Sequence, residues 1–153
     1  MIESKLADTR ERQGWMSVLA KAPADRVIGL LRGVNPPQAE VLRSPETGMV
    51  MVRGRAGSDG GPFNLGEMTV TRCVVRLQTG ETGVGYVAGR NKQHAHAAAV
   101  IDAMLQSAQM FDHIQSAVIA PLKAEKAAEA QTAALKAAAT KVDFYTMVRD
   151  RVG

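Results

Sequence analysis

Five arginines, Arg53, Arg55, Arg72, Arg76 and Arg90, stand in and around segments of alternating apolar residues and carry the clearest chemical signal in this chain. A guanidinium presents a planar fork of N–H donors that fits phosphate or carboxylate oxygens, so several on one side of a sheet would make an anion-binding surface. The same forks could instead pair with acids of another subunit, or stand on a solvated strand face bridged to Glu46 or Glu67. Spacing leaves these three readings open. Between Arg55 and Glu67 runs AGSDGGPFNLG, whose glycines could bring backbone N–H groups close to an anion. It is not a Walker A loop, because the GKS or GKT ending is absent and no helical pattern starts at Phe63. A tight connection over 57–64, with Phe63 and Leu65 packing, is the expectation.

His94 and His96 follow GRNKQ at the start of a helical pattern. Two residues apart, they project about 200° from one another on a helix, which opposes joint ligation of one metal. Either could meet an anion at the helix amino end, or simply cap or decorate the surface. Cys73 lies inside an alternating apolar run and reads as a small buried hydrophobe. As the single cysteine it excludes an intrachain disulfide. Glu46, Glu67 and Asp102 supply carboxylates, yet no spacing assigns a proton donor or base. No metal site and no catalytic residue can be named from these patterns.

The elements that would position these groups follow from periodicity. Asp8 or Thr9 can cap a first helix whose apolar face is Trp15, Met16, Val18 and Leu19. Pro23 opens a second with Val27, Ile28, Leu30 and Leu31, which Gly33 and Pro36–Pro37 end. A helical turn over 39–43 and a connection through Pro45 to Gly48 are expected next. Strands are predicted at Met49–Arg55, Glu67–Leu77 and Gly83–Ala88, the last weakened or bent by Gly85. Apolar spacing from Gln93 to about Gln115 turns helical and predicts a long helix crossing the sheet. Pro121 can start another, and the alanine-rich 125–139 suits an exposed or partner-packed helix. At the carboxy end Phe144, Tyr145, Met147 and Val148 need something to bury them, their own domain or another chain.

The expected fold is therefore α+β: a small antiparallel sheet of about three strands covered by helices, with amino-terminal helices and an extended helical carboxy-terminal region. The 153 residues, 46% hydrophobic and 22% charged, suit a single domain over 1–153, with 120–153 as a partner-packing extension. Aromatics are only 4% while Met numbers eight, so the core is built of small and flexible side chains. A net charge of +4 permits anionic partners without demanding them. No apolar run approaches the ~20 residues of a membrane span, and MIESKLADTRERQGW lacks a signal core, which points to the cytoplasm. Helices followed by a hairpin loosely suggest a winged helix, but neither early helix gathers a DNA-reading face, which argues against nucleic acid.

Several blocks, in order, carry a resemblance: RQGWMSVLA from Arg12, ETGMVMVRGRAG from Glu46, FNLGEMTVTRCVVRL from Phe63, GYVAGRNKQHA from Gly85, IDAMLQ from Ile101, IAPL from Ile119 and KVDFYTMVRDRV from Lys141. Together they resemble the G subunit family of the bacterial carbon–phosphorus lyase system, nearly end to end. The resemblance implies a cytoplasmic subunit of a core assembly with H, I and J subunits, the L subunit joining the first reaction and the I subunit the expected direct contact. That reaction displaces adenine from ATP with an alkylphosphonate. The iron–sulfur cluster and S-adenosylmethionine of the later bond cleavage are implied on another subunit, so this chain alone is expected to bind no cofactor. One cysteine is too few to hold such a cluster. Arg53, Arg55, Arg72, Arg90 and His94 lie in matched blocks as anion-binding or intersubunit candidates, with no family role attached.

Overall fold

Alternation, turn chemistry and one glycine-lined strand dictate the architecture of the computed structural model, which describes residues 9–141. The order is α1 (Thr9–Lys21), α2 (Ala24–Gly33), β1 (Ala39–Arg55), β2 (Pro62–Leu77), β3 (Thr82–Ala88), α3 (Lys92–Leu105), α4 (Phe111–Ile114), a π-helical turn Gln115–Ile119 and α5 (Ala120–Ala139). The strands form one antiparallel sheet in the order β1-β2-β3. This is the α+β fold expected, with helices before and after the sheet. The expected cap Asp8 lies outside the described residues. Among those residues no helix is long and apolar enough to cross a membrane.

α2 begins directly after Pro23, and past Gly33 the chain leaves it through Asn35 at φ 49°, a left-handed conformation that asparagine tolerates. Where a helical turn was expected over 39–43, the chain is already strand, paired from Ala39↔Leu77 onward. Val41 and Leu42 gain more from a partner strand than an isolated turn could offer. Irregularities between Val41 and Glu46 absorb Pro45, which has no N–H to give a ladder and is tolerated on this edge strand. β2 likewise starts five residues before the expected Glu67, so the glycine-rich connection shrinks to the tip at 56–61.

α3 crosses the inner face of the sheet at unusually close range. Gly83 and Gly85 of β3 are buried beneath it, and a Cβ at either would collide with α3 backbone, at Ala99 and Ala103 or at Ala95 and Ala99. Gly85 thus serves close approach rather than a bend. The alanines recur every four residues on one helix face, so small side chains meet missing ones. Around this seam pack Trp15 and Leu19 of α1, Val27 and Leu31 of α2, Cys73, Val75 and Leu77 of β2, and Ile114, Val118 and Ile119. Each fully buried aliphatic side chain contributes about 1.5–3 kcal/mol.

The long helix expected to reach Gln115 stops at Leu105. Gln106 donates from Nε2 to the Thr82 carbonyl at 2.8 Å, tying the helix end to β3, and the chain turns back so that Phe111 meets Trp15 edge-on at 6.0 Å. A second helical run then restarts at Phe111. Its π turn directly precedes Pro121, whose ring would strike the Ala117 carbonyl in a regular α-helix. α5 spans 20 residues, about 30 Å, and its side chains from Lys126 onward are exposed, as its alanine content suggested.

Candidate functional site

β3 pairs with β2 only as far as Val70↔Ala88. Beyond Val70 the β1–β2 hairpin continues alone, Gly48–Arg55 against Pro62–Val70, a two-stranded arm of about 25 Å. Its large apolar side chains are exposed: Met49 is 64% accessible, Leu65 62%, Met51 55%, with Phe63 and Met68 also open. Leu65 is skipped between Val52↔Gly66 and Arg53↔Asn64, and this bulge lays its side chain over Gly54, where a Cβ would collide with it. The tip, AGSDGG, turns through Gly57 at φ 73°. Met49 and Met51 stand on one face of the arm, whereas Met68, paired with Val50, and Leu65, laid over Gly54, stand on the other, so this open-edged ribbon exposes apolar side chains on both faces, an arrangement suited to coverage by another molecule.

The register separates the arginines. Arg72 pairs with Glu46 and Tyr86, and Arg76 with Glu40 and Thr82, on the sheet face turned away from α3. Thr47 and Thr71 hydroxyls meet at 3.2 Å on the opposite face, and alternation along β1 puts Met49, Met51, Arg53 and Arg55 on that same side. Hence Arg53 and Arg55 gather near the arm tip, Arg72 and Arg76 gather behind the sheet, and Arg90 is exposed at the corner before α3. No single five-arginine surface forms. None of these five makes an ion pair among the described residues. Glu46 is held instead by Arg43, with Nη2 to Oε2 at 2.8 Å.

His94 lies elsewhere again. It is 3% exposed, its Nε2 is 2.8 Å from the Leu19 carbonyl, and its own N–H donates to the capping Asn91 side chain. Burial pushes its pKa down, against a smaller upward pull from the Leu19 carbonyl. The ring joins α1 to α3 and does not present itself to a solvent anion. Cys73 is fully buried opposite Gly85, and burial pushes its thiol up, which keeps it protonated and inert. Phe144, Tyr145, Met147 and Val148 lie outside the described residues.

One polar cluster went unnoticed in the sequence. Asp102 is fully buried and takes hydrogen bonds from Trp15 Nε1 at 2.9 Å, Arg12 Nη2 at 2.8 Å and Nε at 3.2 Å, the Val84 backbone N–H at 2.9 Å and Gln106 Nε2 at 3.3 Å. The carboxylate in turn raises the Arg12 pKa, chiefly by hydrogen bonding and against partial desolvation. Saturated in this way, Asp102 is a junction of α1, β3 and α3, with no free oxygen for acid or base work. Its sequence signal was a lone acid inside an otherwise apolar helix stretch. Among the described residues no three His, Cys, Asp or Glu side chains could together hold a metal ion.

A small α+β chain in which no buried side-chain polar atom of the described residues lacks a partner, and whose arm leaves apolar side chains in solvent, has the character of a subunit built for association. The comparisons supply the family. Residues 10–150 match the family described as phosphonate metabolism protein PhnG. Among curated proteins, the alpha-D-ribose 1-methylphosphonate 5-triphosphate synthase subunit PhnG of Rhizobium meliloti (strain 1021) is 42% identical over 147 residues, covering 94% of this chain and 92% of that relative. The chain belongs to the PhnG family of carbon–phosphorus lyase subunits.

Proposed function

We propose that this chain is a structural or accessory subunit of a cytoplasmic carbon–phosphorus lyase core complex, required for transfer of the ribose 5-triphosphate moiety of ATP to an alkylphosphonate with release of adenine. In that reaction a phosphonate oxygen bonds to the ribose anomeric carbon as the bond to adenine breaks, and the departing base needs a proton. A catalytic chain would need an available acid and an enclosed site. Here the buried carboxylate, Asp102, is saturated by five donor contacts, which supports placing the chemistry on another subunit. The observation that carries the reading is the β1–β2 arm with Met49, Met51 and Leu65 in solvent. The partners are the H, I, J and L subunits, with the I subunit the direct contact of the arm, and Phe144, Tyr145, Met147 and Val148 are further partner-packing candidates.

Coexpression with those subunits, followed by size-exclusion chromatography with mass determination, tests the proposal. Coelution at defined stoichiometry is expected. Full synthase activity from the other subunits without this chain would sink it. A second reading, direct contact with triphosphate, is favoured by Arg53 and Arg55 flanking the glycine-rich tip without ion-pair partners among the described residues. Calorimetric titration of ATP into the isolated chain separates the two: binding that is lost in Arg53→Ala would favour the second.

A further inference from the structure

A different surface carries a second recognition chemistry. Between α2, the start of β1 and the start of α3 lies an open groove of about 530 Å³. Its floor is apolar, made by Ile28, Leu31, Pro45 and Ala97. Its rim is basic: Arg32 and Lys92 line it, both exposed, with half-buried His96 beside them, and no aspartate or glutamate lines it at all. Neither Arg32 nor Lys92 makes an ion pair among the described residues. A small-molecule pocket of this size normally closes around convergent polar groups. This groove is open and almost wholly apolar, which suits a side chain delivered by a protein segment.

We propose that the groove docks a short segment of a partner subunit in which an apolar anchor side chain is flanked by aspartate or glutamate. The anchor fills the floor over Leu31 and Ala97, and the acid meets the Arg32 and Lys92 rim. Charge complementarity fixes the class: a basic or uncharged segment would leave both cations unpaired, and a basic one would also be repelled. The inference rests on the assembly reading, but on a surface separate from the arm. The groove touches β1 at Pro45, outside the Gly48–Arg55 stretch of the arm, and shares no lining residue with it, so the two contacts can be broken independently.

The test uses the coexpressed complex. Gln93, exposed and lining the groove, is replaced by the photo-crosslinker p-benzoylphenylalanine, and the crosslinked peptide is sequenced by mass spectrometry. The expected product joins residue 93 to a partner segment with an acid within about one helical turn of an aliphatic or aromatic residue. In parallel, tagged wild type and the Arg32→Glu, Lys92→Glu double variant compete for incorporation. Wild type should be enriched roughly tenfold, and less at high salt. Circular dichroism melting of the isolated variant checks that it folds. A complex that assembles without the crosslink, a crosslink to a segment lacking acids or to this chain itself, or equal incorporation of the double variant would overturn the groove proposal alone. Failure of wild type to assemble at all overturns it together with the assembly reading.

Discussion

The β1–β2 hairpin runs through two environments with one sequence pattern. In its inner half, odd-numbered Cys73, Val75 and Leu77 of β2 point at α3 and are buried. In its outer half, Met49 and Met51 alternate just as regularly along β1 and are exposed, as is Leu65 at the bulge of β2. The pattern is therefore satisfied within the chain at one end and left unsatisfied at the other. Exposed side chains of this size do not stabilise the isolated fold, and coverage by a partner is the role proposed for them. The inner half is a matter of folding, and the outer half is the part that the proposal assigns to assembly.

Variants of the inner half should be the most damaging. Asp102→Ala takes the ion pair from half-buried Arg12 and leaves the Trp15 Nε1–H and Val84 N–H without their acceptor, and each interior donor left unsatisfied costs about 1–3 kcal/mol. The urea midpoint should fall accordingly, with Asp102→Asn falling less because it keeps part of the hydrogen bonding. A midpoint within error of wild type would mean that the junction is ornamental. Next comes Gly85→Ala, whose single added Cβ meets the Ala95 carbonyl and must push α3 off the sheet. Overpacking of this kind costs about 1–3 kcal/mol, read as a lowered melting temperature. An unchanged melting temperature would show that α3 has slack over β3.

These two sites also mark where sequence reasoning reached and where it stopped. Three strands, the order of helices and the exposed alanine-rich segment were legible, because each rests on a local period that α1, β2 or α5 displays by itself. The strand character of Ala39–Arg43 was not, since five residues containing Glu40 and Arg43 acquire it only by pairing with Leu77–Val74. Nor was the break at Leu105, which depends on Gln106 reaching Thr82 and Phe111 reaching Trp15. For the candidate surface, the sequence located Arg53, Arg55, Arg72 and Arg90 but could not divide them between faces. That division depends on how β1 and β2 align across irregularities that no local pattern announces.

His94 gives a subtler contrast between interior and surface. Its pKa is lowered in the folded chain by burial, from an ordinary value of 6.5. The unfolded chain therefore binds a proton that the folded one refuses. Its neutral burial carries no penalty above that ordinary value, and stability falls as pH drops from 6.5 through the lowered folded pKa. His94→Gln, which can still donate to the Leu19 carbonyl, should flatten the stability profile in that window, measured by denaturant midpoints at successive pH values. A wild-type profile already flat there would place the imidazole in contact with water.

The smallest effect on stability is expected in the arm, and it is the one that separates the halves. In the double variant Met51→Ser, Leu65→Ser, two side chains 55% and 62% exposed become polar without removing an internal hydrogen bond. Surface changes of this kind stay within about 0.5 kcal/mol, so melting of the isolated chain should scarcely move. Coelution with the partner subunits should nevertheless be lost, because desolvated apolar anchors carry most of the free energy of an interface. Two other outcomes are informative. A large drop in melting temperature would show that the arm folds back on its own chain, while intact coelution would move the principal contact elsewhere, to the groove or the carboxy-terminal aromatics. Only the expected pair, unchanged melting with lost assembly, fits a hairpin whose inner half answers to α3 and whose outer half answers to another subunit.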